Sequence, residues 1–206
     1  MQAINWAVLE KEVDIITMSL GLEREHHSVQ KAILNAIYHR VLIFAAASNG
    51  GGNSCVTYPA RKDEVICVYA TDGIGTPYDH NPTPMEDTYY DFAVLGVGVK
   101  SAWPRHLQNP PLEPSEVSER RMTGTSFATP IAAGIAACII EFAYLTNLSE
   151  DLLRVLKSRQ GMQKTLKGLM VAKGRRHGFH YIYPWAMFKG RLNDEIRYDM
   201  KHILES

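Results

Sequence analysis

The stretch Met122–Pro130 (MTGTSFATP) carries the side chain best placed to do chemistry. Ser126 stands between Gly124-Thr125 and a run rich in Ala, Gly and Ile that continues to Tyr144. A hydroxyl where a loop enters a helix meets the positive end of the helix macrodipole and first-turn N–H groups without intrahelical acceptors. That setting suits a nucleophile, and it equally suits a Ser/Thr-rich N-cap on a core helix. Pro130 is expected in the first turn, where a missing N–H removes no helical bond. A second polar cluster, Ser48-Asn49-Gly50-Gly51-Gly52-Asn53, closes the apolar run Val41–Ala47. Taken alone it is a turn cap, or a phosphate cradle if a helix starts behind it. It lacks G-x-G-x-x-G spacing, however, and the chain has no Gly-Lys-Ser/Thr.

The elements that must position these residues follow from hydrophobic periodicity. Met1–Glu12 reads as an amphipathic helix with Ile4, Val8 and Leu9 on one face, and Ser28–His39 as another with a stripe of Val29, Ala32, Ile33, Ala36 and Ile37. Val13–Leu20, Val41–Ala47, Val65–Ala70 and Asp91–Val99 are short apolar runs of buried-strand type, the last broken by Gly96 and Gly98. Helices alternating with fully apolar strands imply a parallel sheet covered on both faces. Thr71–Tyr90 and Trp103–Arg121, each with several prolines, read as surface loops. Gly124–Tyr144 is expected to be a helix buried on nearly all sides. Beyond it, Ser149 is positioned to cap a helix reaching Ser158, Asp194–Leu204 forms another, and the aromatic stretch His180–Phe188 lies between them.

These motifs, in this order, resemble the subtilisin-like serine protease family. That family marks its nucleophile with G-T-S-[M/F]-A-[S/T]-P, matched here by Gly124 to Pro130. The resemblance implies Ser126 as nucleophile, its backbone N–H as one oxyanion donor, and the side chain of Asn49 (in Ala46-Ala47-Ser48-Asn49-Gly50-Gly51) as the other. Asp14–Gly21 (DIITMSLG) resembles the strand whose end pairs with substrate. Ser19, Leu20 and Gly21 are therefore implied as groove residues, together with Ala46, Ala47, Gly124 and Thr125. Tyr58-Pro59-Ala60 followed by Val65–Ala70 resembles a further family motif, and Pro59 is a candidate cis-proline. Where the family strand continues A-P-G, this chain has Val94-Leu95-Gly96.

The resemblance covers roughly residues 1–146 and implies an α/β, doubly wound parallel sheet whose N-terminal strands are missing. Residues 147–206 then form a mostly helical, basic C-terminal extension. The family's triad runs Asp, His, Ser along the chain, yet no D-S-G, D-T-G or H-G-T occurs before Val13 or elsewhere. Asp72-Gly73 and His177-Gly178 follow the wrong motifs, and His26 and His27 fall in the loop after the first strand. An upstream segment supplying Asp and His is therefore expected in a full-length protein, and the chain alone is expected to be inactive. The competing expectation is a peptide-binding or regulatory module that keeps the groove without the chemistry.

The resemblance implies peptide or protein substrates, and bulk properties point to no other class of partner. With 46% hydrophobic and 21% charged residues the chain can bury a core. The net charge is zero but uneven: 10 Lys/Arg face 17 Asp/Glu in residues 1–150, and 12 face 5 in residues 151–206. The basic end reads as solvated helix faces, so no nucleic acid is expected. Cys55, Cys67 and Cys138 lack metal or disulfide spacing. Cys67 and Cys138 are expected as reduced core residues. No metal or cofactor is implied, and no uninterrupted apolar stretch is long enough to span a bilayer.

Overall fold

The elements, in chain order, are α1 (Gln2–Leu9), β1 (Ile15–Met18), α2 (His27–Tyr38), β2 (Leu42–Ala46), β3 (Ile66–Thr71), β4 (Phe92–Leu95), β5 (Val99–Ala102), β6 (Glu119–Met122), α3 (Thr125–Leu145), α4 (Glu150–Leu156), α5 (Arg159–Met170), β7 (His180–Tyr181), α6 (Trp185–Phe188) and α7 (Asn193–Glu205). The computed structural model describes residues 1–85, 90–107, 118–171 and 177–206. Parts of both proline-rich loops, including Pro110, Pro111 and Pro114, lie outside the described residues.

The main sheet has the order β1-β2-β3-β4-β7, and every pairing in it is parallel. All residues of β2 and β3 are buried, as expected for strands covered on both faces. The pleat splits their side chains between two cores. Leu42, Phe44, Ile66, Val68 and Ala70 face α3 and the C-terminal helices. Ile43, Ala45, Cys67 and Tyr69 face the side that holds Val8 of α1 and Ile33 and Ala36 of α2. Helix α3, 21 residues long, packs against β1, β2, β3 and β4. By length and composition alone it would pass as a membrane span. In this fold that apolarity serves the sheet contact.

Four expectations change. First, β1 is shorter than Val13–Leu20 and lies at the sheet edge, so Thr17 is exposed and Ile15 and Ile16 are only half-buried. A strand with one neighbour has nothing to cover its other side. Second, the apolar run Asp91–Val99 is not one strand. It ends at Leu95, and Val99–Ala102 turns into an antiparallel pair with β6, residues expected as loop. Third, α3 is not buried all round. Pro130, Gly134, Ala137, Cys138 and Glu141 form an exposed stripe along it, so Cys138 is a surface thiol, whereas Cys67 is a core residue as expected. Fourth, Pro130 is the sixth residue of α3 and not in its first turn.

The C-terminal segment joins the same core. Ser149 caps α4, its side chain accepting from the Leu152 N–H. Helix α5 packs against α4, α6 and α7, and β7 extends the sheet beside β4. Tyr181 is buried, Phe188 meets Phe142 of α3 edge-on with ring centroids 5.9 Å apart, and Trp185 stays exposed. One hydrophobic cluster runs from Leu42 to Leu204. A division at residue 146 thus separates chain segments that share a core.

Candidate active site

The site forms where the C-terminal end of β2 meets the start of α3. Open α/β sheets place their ligands at this end of the strands, because loops leaving the strand ends converge there. Asn49 follows β2, and its Oδ1 accepts from the Thr125 backbone N–H at 2.9 Å. The Thr125 hydroxyl lies 3.1 Å from the same Oδ1 and 3.2 Å from the Ser48 carbonyl. Thr125 itself is buried. Because Oδ1 is committed to these bonds, the amide of Asn49 is oriented and its Nδ2 is the remaining donor. No acceptor among the described residues takes it up.

Two glycines make the approach possible. Gly124 adopts φ +150°, a conformation that side chains disfavour, and a Cβ there would stand 3.1 Å from Asn49 Nδ2. A Cβ on Gly96 would come within 2.7 Å of the Ala70 Cβ and 2.9 Å of the Gly124 carbonyl. Its own carbonyl accepts from the Gly124 N–H at 2.9 Å. The chain following β4 therefore holds the entry to α3 in place.

Ser126 is the second residue of α3 and is half-buried. Its N–H belongs to the first turn, which has no intrahelical acceptor. Its carbonyl would normally accept from residue 130, but that residue is Pro130. The Ser19 hydroxyl donates to this carbonyl instead, at 2.8 Å. The displaced proline and the serine after β1 thus complement each other across the site. No imidazole or carboxylate among the described residues hydrogen-bonds the Ser126 hydroxyl.

The remaining implied groove residues divide. Leu20 is exposed, and Gly21 packs against the Thr57 side chain. Leu22 and Tyr58 exchange backbone bonds at 2.7 and 3.0 Å, tying the chain after β1 to the Tyr58–Pro59 segment, whose peptide is cis as expected. Ala46 and Ala47 are buried. Ala47 donates to Val68 and accepts from both the N–H and the hydroxyl of Thr57, so neither of its backbone groups is left to meet a ligand. Thr57 was not singled out by sequence; only its neighbouring Tyr-Pro hinted at it. The Gly-rich run after β2 leads through a turn to β3 and not into a helix, which removes the phosphate-cradle geometry. Asp72 and His177 lie in turns, and neither is hydrogen-bonded to Ser126 or Asn49. The Asp72 carboxylate accepts from the N–H groups of Thr76 and Ile74, which hold it below its ordinary pKa. Among the described residues no three His, Cys, Asp or Glu side chains gather as a metal ion would require.

A model of the subtilase family (peptidase S8) matches residues 1–179. The chain belongs to that family. It is 30% identical over 158 residues to the major intracellular serine protease of Bacillus subtilis, a match covering 73% of this chain and 45% of that protein. It is 26% identical over 180 residues to the subtilisin-like protease het-Q2 of Podospora anserina, covering 81% and 47%. The chain thus spans about half the length of these subtilase relatives. Among solved structures, the prenylagaramide maturation protease PagA aligns over 98% of this chain and 66% of its own, with TM-score 0.69 and 24% identity. The PatG macrocyclase in complex with peptide aligns over all of this chain and 55% of its own, with TM-score 0.65 and 20% identity. Both establish the subtilase fold.

Proposed function

We propose that this subtilase chain is the nucleophile-bearing part of a serine endopeptidase. Ser126 attacks the peptide carbonyl, and its N–H and Asn49 Nδ2 receive the oxygen that becomes negative. The observation carrying this reading is the bond from Thr125 N–H to Asn49 Oδ1. It pins the amide beside the residue preceding Ser126 and leaves Nδ2 as the donor. Neutral, fixed donors of this kind cost no reorganisation as charge develops. Ser19, Leu20 and Gly21, continuing from the sheet edge, are suited to pair with an extended substrate backbone.

A serine hydroxyl needs a base to take its proton. In this reading an Asp and a His come from residues outside the present sequence, and the chain alone is practically inert. The test uses a protein extended to include that segment. Ser126→Ala should abolish peptide hydrolysis, and Asn49→Ala should slow it about 10²–10³-fold, a magnitude known from a subtilisin and borrowed here. An unchanged rate for either variant overturns the assignment.

The absence of a base at Ser126 among the described residues favours one second reading, a peptide-binding module without hydrolysis. It predicts peptide binding by the extended protein with no cleavage and no D-[S/T]-G or H-G-[T/S] in the extension.

A further inference from the structure

Away from Ser126, the start of α5 lines a cavity of about 340 Å³ together with Tyr90, Arg159, Gln160, Gln163 and Lys164. Among the described residues no carboxylate lines it. Arg159 is the first residue of α5, and its Nε is buried without a hydrogen-bond partner. The guanidinium forms no ion pair with any described residue. Asp63 and Glu64 are near enough to favour its charge, but burial outweighs them and pulls its pKa below the ordinary value. Arg159 as a whole is half-buried, and a guanidinium N–H that is itself buried without an acceptor calls for an explanation.

A second, independent feature points the same way. Gln163 is 4% exposed, and its amide makes no hydrogen bond within the described chain, yet it lines this cavity. Ser158 satisfies the Gly161 N–H at 3.1 Å and the Met162 N–H at 3.0 Å. The N–H groups of Arg159 and Gln160, at the positive end of the helix, have no backbone acceptor. Lys164 makes no ion pair with a described residue, and Lys167 stands 4.7 Å above the Tyr90 ring. That ring is itself held by stacking on Phe92.

We propose that this cavity binds a small oxyanion, a carboxylate or a phosphate, through the Arg159 guanidinium and the Gln163 amide, with Lys164 adding charge. A forked guanidinium matches a planar or tetrahedral oxyanion through paired N–H groups. The helix start supplies further positive potential without a counter-ion. This site is independent of the chemistry assigned to Ser126.

The test is a titration of the full chain followed by ¹H–¹⁵N correlation at the Arg159 Nε–H and the Gln163 side-chain amide. The probes are inorganic phosphate, an acetylated tetrapeptide with a free C-terminus and the same peptide amidated. Saturating shifts of both signals by phosphate or by the free-acid peptide support the site, and the stronger of the two identifies the ligand chemistry. Arg159→Gln should weaken that binding about tenfold or more. Lys164→Gln, which leaves the guanidinium in place, should weaken it less, and it keeps the test decisive if Arg159→Gln fails to fold. Lys189→Gln, a surface cation elsewhere, should leave it unchanged. The proposal is overturned by the absence of saturable shifts up to about 10 mM, by equal binding of the amidated peptide, or by wild-type affinity in both cavity variants.

Discussion

Replacing Ser19 by Ala probes how the site loop is held. In α3 the Ser126 carbonyl lacks its usual donor because residue 130 is proline. The Ser19 hydroxyl provides the substitute bond at 2.8 Å from a position 107 residues away in sequence. A net intramolecular hydrogen bond contributes about 0.5–1.5 kcal/mol. This one is solvent-exposed, so water can take over part of its role, and Ser19→Ala should cost about 0.5–1 kcal/mol. Pro130→Ala restores an N–H four residues along the helix, after which the Ser19 bond is redundant. Ser19→Ala in that background should cost less by about 0.5 kcal/mol. Urea unfolding of the four proteins measures this, since a loss of that size moves the midpoint by a few tenths molar, roughly. An identical cost of Ser19→Ala in both backgrounds would refute the argument.

Three other outcomes are expected. Gly124→Ala forces a side chain onto φ +150° and to within 3.1 Å of Asn49 Nδ2; it should destabilise by about 1–3 kcal/mol and shift the Asn49 amide signals, and wild-type stability would contradict this. In the folded chain, iodoacetamide should modify the exposed Cys55 and Cys138 and spare Cys67, whose thiol is buried and pushed well above its ordinary pKa by desolvation; modification of Cys67 at the same rate would count against the core described. The Asp72 carboxyl, held by the Thr76 and Ile74 N–H groups, should titrate below 3.8. A depressed folded-state pKa means that its contribution to stability is present above the unfolded value and fades as pH falls through the folded one. A titration midpoint at or above 3.8 would show the turn to be open.

How much of this was legible in the sequence depended on what each element owes to its own residues. Strands β2 and β3 announce themselves because their residues are apolar on both faces and bounded by polar turns. The start of α3 was legible for the same local reasons, and its juxtaposition with Asn49 followed only through family resemblance. Strands β5 and β6 were missed because Lys100, Ser101, Glu119, Arg120 and Arg121 are exposed, so their pairing leaves no apolar alternation. Strand β7 spans only His180–Tyr181 and exists through its pairing with Phe92 and Ala93. Helix α5 has a readable cap in Ser158 and a stripe of Met162, Leu166 and Leu169, but Gly161 and Gly168 disguised it. The Ser19–Ser126 bond joins residues whose proximity only the folded sheet creates.

The most direct measurement of the Ser126 assignment is fluorophosphonate labelling followed by peptide mapping, run on the 206-residue chain and on a protein extended to include the proposed Asp- and His-bearing segment. A single adduct on Ser126 is expected in the extended protein, forming at least about 10³-fold faster than in the chain alone. An adduct on a different serine, or equally rapid labelling of Ser126 in both proteins, would contradict it.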